Sequence, residues 1–162
     1  MTDNRVDGVI LTGAYETARM FLGWKPEMRL FAETSGKNSM IITAMADRDQ
    51  AVKDLVKSAF GHAGQKCSAA SLGILEAEVY DSPSFLSQLK DAAASLDVGP
   101  PYALYNVVSP VIHEPEAKLK RALTQLDPGE SWLLEPKIVD GNPNLWSPGI
   151  KLGVKPDSFF HK

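Results

Sequence analysis

The sequence predicts an α/β fold, because short apolar strands and amphipathic helices alternate along the chain. The first strand covers Val9–Leu11 and runs into a turn at Gly13. A helical pattern then extends over Tyr15–Leu22 and is expected to end at Gly23, and a second apolar strand follows at residues 28–33. A strand, a helix and a strand within about 25 residues are typical of two parallel strands joined by a crossover helix.

A third strand and a second helix follow. Residues 38–44 form an apolar run, and Asp47 is a suitable N-cap for the helix that begins after it. Apolar residues then recur at spacings of three and four, which predicts a helix with one buried face. The residues of this face are Ala51, Val52, Leu55, Val56, Ala59 and Phe60. Gly61 and Gly64 are expected to end the helix shortly before Cys67.

The remaining chain continues this pattern and then becomes irregular. Residues 71–80 are interpreted as a strand, residues 81–96 as a helix that starts at an Asp-Ser-Pro sequence, and residues 114–126 as a further amphipathic helix. Proline and glycine are frequent after residue 127, so loops and short strands are expected there.

Composition and charge exclude several functional classes. The chain has 162 residues, of which 44% are hydrophobic, and a formal net charge of -3. Its basic residues are scattered, so we expect no nucleic-acid partner, and we predict no metal site. No apolar run reaches the roughly 18 residues of a membrane span, and the first residues are too polar for a signal peptide. A single cysteine fits a reducing compartment, so we predict a cytoplasmic protein.

Cys67 lies in the stretch GHAGQKCSAAS and has two interpretations. A lone cysteine is most often a small buried residue. Alternatively, its small neighbours leave room for a substrate, and the adjacent Lys66 favours the thiolate that a nucleophile requires. A helix beginning near Ser68 would add N–H groups that stabilise both a thiolate and an oxyanion. His62 is close in sequence, but a surface or capping role fits it better than that of a general base.

Glu33 ends a predicted strand and also has two interpretations. It can be an ordinary charge at the end of a strand. It can also be a general base at the mouth of a sheet, where open α/β folds bind their ligands. The signals at Glu33 and Cys67 are weak separately and stronger together.

Three stretches of the sequence resemble motifs of the aldehyde dehydrogenase superfamily. AETSGKN resembles the motif of the general base and GHAGQKCSA that of the nucleophile, and Glu33 and Cys67 lie 34 positions apart, as in the family. VILTGAYETA resembles the strand-to-helix turn that touches the cofactor. AETSGKN and SAFGHAGQKCSAASL are similar to one branch in particular, the L-glutamate γ-semialdehyde (Δ1-pyrroline-5-carboxylate) dehydrogenases. The later stretches LTQLDPGESWLLEP and LWSPGIKLGVKP resemble the bacterial form that is joined to proline dehydrogenase. The resemblance covers essentially all 162 residues.

This resemblance implies an NAD-dependent oxidation of L-glutamate γ-semialdehyde to L-glutamate, a step of proline catabolism. Cys67 would attack the aldehyde to give a thiohemiacetal, and hydride transfer to NAD would leave a thioester. Glu33 would activate the water that hydrolyses this thioester. The backbone N–H of Cys67 would form half of an oxyanion hole, and Ser68 would help to hold the substrate carboxylate.

The resemblance also assigns cofactor contacts. Gly13 and Ala14 would lie near the pyrophosphate of NAD, although the family more often has serine at the position of Ala14. Thr34, Ser35 and Gly36 would approach the nicotinamide half.

By family layout, the chain is expected to contain parts of two domains. Residues 1–35 would be the C-terminal tail of a Rossmann-type NAD domain, and residues 36–162 would be part of the α/β catalytic domain that carries the cysteine. The family's ribose-binding lysine, its oxyanion asparagine and the glutamate that binds the nicotinamide ribose would lie outside the chain. We therefore expect a segment that is inactive alone and that belongs to a homo-oligomeric protein, fused to a proline dehydrogenase domain in the bifunctional type.

Three alternatives stay open at this point. The parent protein could oxidise another aldehyde, because the loops that shape the substrate pocket lie elsewhere. An acyl-CoA-forming relative would use the cysteine but usually lacks the base, so Glu33 argues against it. The segment could also act only as a folding or association unit, in which Cys67 and Glu33 are relics.

Overall fold

The computed structural model describes residues 3–161, and the chain divides into two compact units, Met1–Lys37 and Asn38–Lys162. The first two residues and the last residue, which belong to the predicted domains 1–35 and 36–162, lie outside the described residues. The boundary between the units falls close to the expected domain boundary. The assignment of these units to particular domains of the family stays a prediction.

The first unit is a single β–α–β motif. Strands β1 (Gly8–Gly13) and β2 (Arg29–Thr34) pair in parallel, and helix α1 (Tyr15–Trp24) connects them. The predicted order of elements is thereby confirmed. The predicted helix end at Gly23 is wrong, because the helical hydrogen bonds continue until the N–H of Lys25 donates to the carbonyl of Phe21.

Helix α1 covers one face of this two-stranded sheet. Ala18 and Phe21 of the helix are buried, together with Met28 before β2. Side chains alternate between the faces of a strand, and Ile10 and Phe31, which lie opposite each other in the register, are 88% and 68% exposed. The first unit therefore has a small core and an open apolar face.

The second unit begins with another β–α–β motif. Strands β3 (Asn38–Ile42) and β4 (Ala70–Leu75) pair in parallel, and helix α2 (Arg48–Phe60) lies between them in sequence. As predicted, the Asp47 carboxylate caps α2 by accepting a hydrogen bond from the N–H of Gln50 at 3.0 Å. Two parallel strand pairs with crossover helices confirm the predicted α/β class.

Further elements pack around a hydrophobic core and complete the second unit. They are helices α3 (Ala77–Tyr80), α4 (Pro83–Ala94) and α5 (Ala117–Thr124) and the antiparallel strands β5 (Ser131–Leu134) and β6 (Ile150–Leu152). The buried residues of the core are Ile42, Val52, Val56, Val79, Phe85, Leu89 and Ala93. Among the described residues, no helix is long and apolar enough to cross a membrane.

The predicted strand over residues 71–80 is only partly correct. Strand β4 ends at Leu75, and the chain then turns into the short helix α3, in which the N–H of Tyr80 donates to the carbonyl of Glu76. This turn buries Val79 completely, with 0% of its surface exposed. The strand ends there because Glu76, Ala77 and Glu78 are poor strand formers and good helix formers, and the helical turn places Val79 in the hydrophobic core. The helix predicted over residues 114–126 is also shorter, since α5 covers only Ala117–Thr124.

Candidate active site

Cys67 lies in a turn between α2 and β4, and its side chain is exposed. The interpretation as a small core residue is therefore wrong. The N–H of Ala69 closes the turn by donating to the carbonyl of Lys66 at 3.1 Å. The helix expected near Ser68 does not form, because strand β4 begins at Ala70 and draws the chain into the parallel sheet. The turn itself therefore supplies no helix N-terminus to the sulfur.

The chain reaches this turn through a short left-handed stretch. His62, Ala63 and Gly64 have φ angles of 56°, 53° and 70°. This region is sterically unfavourable for residues with a Cβ atom. A Cβ at Gly64 would also lie 3.0 Å from the carbonyl oxygen of Ala59, so this position suits glycine. The stretch ends α2 and redirects the chain toward Cys67.

Two polar side chains attach this region to neighbouring elements. Ser58 of α2 accepts a hydrogen bond from the N–H of Ala70 at 3.1 Å. The side chain of Gln65 donates to the carbonyl of His62 at 3.1 Å and accepts the N–H of Ile112 at 3.0 Å. Sequence reasoning missed both residues. The signal for Ser58 was a polar residue on an otherwise apolar helix face, and the signal for Gln65 was its place inside the nucleophile motif.

A third side chain, that of Asn38, reaches the turn from the start of β3. Its Nδ2 donates to the carbonyl oxygen of Cys67 at 2.6 Å and to that of Ala69 at 3.2 Å. Sequence reasoning missed this residue as well. Its only signal was that Asn38 ends the AETSGKN stretch whose glutamate had been singled out.

Glu33 lies in the first unit, near the carboxyl end of β2, and it is exposed. The half-buried Thr34 is the last residue of β2, and the exposed Ser35 and Gly36 follow it. Glu33 and these three predicted cofactor contacts are consecutive in sequence and lie at the carboxyl end of β2 and just beyond it. Cys67 and the exposed Ser68 are brought together in the second unit.

Gly13 and Ala14 form the junction between β1 and α1 and are exposed. Gly13 lies opposite Thr34 in the parallel register, so predicted contacts to both parts of the cofactor meet at one end of this strand pair. Ala14 is the N-cap of α1 and has no side-chain capping bond, which leaves backbone N–H groups at the helix start. These groups fit a phosphate, although Glu16 in the first helical turn opposes an anion there.

No group of three or more histidine, cysteine, aspartate or glutamate side chains that could hold a metal ion occurs among residues 3–161. Three predicted groups can take part in chemistry or binding: the exposed thiol of Cys67, the exposed carboxylate of Glu33 and the strand-to-helix turn at Gly13 and Ala14, which suits a phosphate.

Comparisons with known proteins relate these features to one family. The model of the aldehyde dehydrogenase family matches residues 1–162. The chain is 37% identical over 125 residues to the mitochondrial delta-1-pyrroline-5-carboxylate dehydrogenase of Emericella nidulans, covering 68% of this chain and 22% of that protein. It is 37% identical over 129 residues to the bifunctional protein PutA of Escherichia coli, covering 74% of this chain and 10% of that protein.

A solved structure gives the same result for the fold. Proline utilization A (PutA) from Corynebacterium freiburgense matches with a TM-score of 0.89 and 53% sequence identity, covering 99% of this chain and 16% of that chain. The chain thus spans 10–22% of the length of the two curated relatives above. The family match over the whole chain and the matching fold confirm the resemblance seen in the motifs: the chain belongs to the aldehyde dehydrogenase family.

Proposed function

We propose that the protein to which this chain belongs oxidises L-glutamate γ-semialdehyde to L-glutamate with NAD, as a step of proline catabolism. The observation that carries this proposal is the similarity to proteins named delta-1-pyrroline-5-carboxylate dehydrogenase and PutA, in a chain whose single cysteine is exposed on a turn. Because the chain spans a small part of its relatives, the activity is proposed for a longer polypeptide that contains it.

Cys67 is the nucleophile of the proposed reaction. Its sulfur adds to the aldehyde carbon and gives a thiohemiacetal, whose oxygen carries the negative charge as it forms. The peptide group between Lys66 and Cys67 is planar, so its N–H points opposite to its carbonyl. That carbonyl accepts the N–H of Ala69 inside the turn, which supports an outward Cys67 N–H as one donor to the oxyanion.

The nicotinamide cofactor, when bound, supplies the acceptor for the hydride that leaves the thiohemiacetal. Gly13 and Ala14 are proposed to hold its phosphates through backbone N–H groups at the start of α1. Thr34, Ser35 and Gly36 are proposed to contact its nicotinamide half. In this assignment, the first unit is the tail of the NAD domain and the second unit belongs to the catalytic domain.

Glu33 is the proposed general base for the second half of the reaction. As an exposed carboxylate, it can take a proton from the water that attacks the thioester on Cys67. Carbon–sulfur cleavage then releases the carboxylic acid and restores the thiolate. Ser68, next to the nucleophile and exposed, is proposed to donate a hydrogen bond to the substrate carboxylate. A homo-oligomeric state and a fused proline dehydrogenase domain are part of the same proposal.

The test uses a chimera in which this chain replaces the matching segment of the Corynebacterium freiburgense PutA, referred to below as the PutA chimera. NADH formation from L-glutamate γ-semialdehyde is measured for the chimera and for its C67S and E33Q variants. We expect C67S to lower kcat by roughly 10⁴-fold or more and E33Q to lower it by roughly 10²- to 10⁴-fold.

Unaltered PutA and the chimera with Ser87→Ala, an exposed change on α4, serve as controls for assembly. Full activity of the C67S chimera would overturn the assignment of the nucleophile. Activity that depends on added coenzyme A and is unchanged in E33Q would indicate an acyl-CoA-forming enzyme instead. A chimera that oxidises other aldehydes in preference to the semialdehyde would overturn the proposed substrate.

A further inference from the structure

Asn38 connects the start of β3 to the turn that carries Cys67. Its side-chain amide donates to the carbonyl oxygens of Cys67 and Ala69, at 2.6 Å and 3.2 Å. Its own backbone carbonyl accepts a hydrogen bond from Oγ of Ser71 at 3.3 Å. The residue is therefore tied to the segment around the cysteine through both its side chain and its main chain.

An irregularity in the sheet accompanies this contact. In the register between β3 and β4, Asn38 lies opposite Ala70, but the next residue, Ser39, lies opposite Leu72. Ser71 is the additional residue, which makes this a β-bulge. Bulges bend a strand and change the direction of nearby side chains. At this bulge, the Asn38 side chain extends past its paired residue, Ala70, and contacts the turn that precedes β4.

Hydrogen bonds fix the two peptide groups that flank the Cα atom of Cys67. The carbonyl of Lys66 accepts the N–H of Ala69 at 3.1 Å, and the carbonyl of Cys67 accepts Nδ2 of Asn38. Each carbonyl shares a rigid plane with the N–H of the following residue. Fixing both planes therefore fixes the backbone of Cys67 and the directions of the N–H groups of Cys67 and Ser68.

We propose that Asn38 is a positioning residue, which orients the Cys67 sulfur and the adjacent N–H groups by holding the Cys67 carbonyl. That Asn38 orients a nucleophile rests on the proposed function. That Asn38 holds the turn rests only on its hydrogen bonds. An amide is suited to this task because one nitrogen carries two hydrogens and can serve both carbonyls. An aspartate has the same shape, but its carboxylate only accepts hydrogen bonds and would repel both carbonyl oxygens.

The test compares Asn38→Asp with a matched control, Asn106→Asp. The Asn106 amide also donates to a backbone carbonyl, that of Pro100 at 2.9 Å, in a different part of the second unit. A nitroxide label is attached to Cys67 of each 162-residue chain, and its mobility is measured by electron paramagnetic resonance. Amide hydrogen exchange of residues 67–70 is measured on the unlabelled chains.

For Asn38→Asp we expect a more mobile label and a roughly ten-fold faster exchange of the Ala69 and Ala70 amides. For Asn106→Asp we expect no change in either quantity. If Asn38→Asp does not fold, as judged by circular dichroism, Asn38→Ala provides the same comparison without charge repulsion. Unchanged mobility and exchange in a folded Asn38 variant, or equal changes in the Asn106 control, would overturn the proposal.

A catalytic readout separates this proposal from the proposed function. In the PutA chimera, Asn38→Asp is expected to lower kcat by roughly ten-fold or more and to leave KM within a factor of two. This pattern is expected because the variant misorients the Cys67 nucleophile and leaves substrate binding intact. A chimera without any dehydrogenase activity would contradict the proposed function and leave the label and exchange results intact. An active chimera whose kcat is unaffected by Asn38→Asp would contradict the positioning role alone.

Discussion

The two β–α–β motifs carry their candidate residues at opposite ends of their parallel strands. In the first unit, Gly13 and Glu33 lie at the carboxyl ends of β1 and β2. In the second unit, the candidate residues lie at the amino ends of the strands: Asn38 begins β3, and Cys67 lies in the turn before β4, which begins at Ala70. The rule that open α/β sheets bind ligands beyond the carboxyl ends of their strands describes only the first case. The second case depends on a hydrogen-bonded turn, so the sheet alone does not determine where the sulfur lies.

The same two motifs also differ in burial. The second unit has a core of seven buried hydrophobic residues around α2 and α4, in which Phe85 is 1% exposed. The first unit buries Ala18, Phe21 and Met28, and it leaves Ile10 and Phe31 open on one face of its sheet. The stability of the chain is therefore expected to reside mainly in the unit that carries Cys67.

The largest expected effect contrasts Phe85→Ala with Phe31→Ala. Removing the buried Phe85 ring leaves a cavity and should lower the free energy of unfolding by about 3–5 kcal/mol. Removing Phe31, which is 68% exposed, should change it by less than about 0.5 kcal/mol. Urea unfolding followed by circular dichroism measures both values. Equal losses of unfolding free energy in the two variants would contradict the expectation that stability resides mainly in the second unit.

An intermediate effect is expected at the left-handed stretch before Cys67. Gly64→Ala places a Cβ at a φ of 70° and close to the Ala59 carbonyl, which should cost about 1–2 kcal/mol of stability. Gly61→Ala is the matched control, because Gly61 has a φ of −56° and no atom within 4 Å of an added Cβ. Urea unfolding of Gly61→Ala should show a change within about 0.5 kcal/mol. A tolerated Gly64→Ala would show that this backbone geometry is not required.

The smallest expected change in stability concerns the N-caps of the two crossover helices, α1 and α2. Asp47 caps α2, whereas Ala14 begins α1 with an extended backbone and no side-chain acceptor. Ala14→Ser should therefore stabilise α1 by about 0.5–1 kcal/mol and slow the hydrogen exchange of its amides a few-fold. Asp47→Ala, in which a cap is lost, should accelerate exchange in α2. Faster exchange of the α1 amides in Ala14→Ser would contradict this account of the helix start.

Local sequence patterns predicted the order and type of most strands and helices, although several of their ends differ in the structure. The strand–helix–strand pattern predicted the parallel pair of β1 and β2, and Asp47 correctly predicted the start of α2. These features depend on neighbours within a few positions of the chain, and this is the range that periodicity and capping rules describe.

The surroundings of Cys67 could not be predicted in the same way. The Asn38 amide and the Cys67 carbonyl are 29 positions apart, and their contact depends on the register and bulge of a sheet. Two consecutive positive φ angles, at His62 and Ala63, are uncommon for residues other than glycine, and alanine gives no local signal for one. The expected helix at Ser68 failed because pairing at Ala70 begins the strand immediately after the turn. The Asn38 contact and the loss of the expected helix therefore depend on tertiary strand pairing rather than on local propensity.

The central claim, that Cys67 forms the covalent intermediate, is tested most directly by trapping that intermediate. The E33Q form of the PutA chimera is mixed with L-glutamate γ-semialdehyde and NAD, quenched in acid, digested and analysed by mass spectrometry. Because hydrolysis is slowed in E33Q, the account predicts a glutamyl thioester on the peptide that contains Cys67. Oxidation of the semialdehyde without any adduct on Cys67, or with the adduct on another residue, would contradict the account.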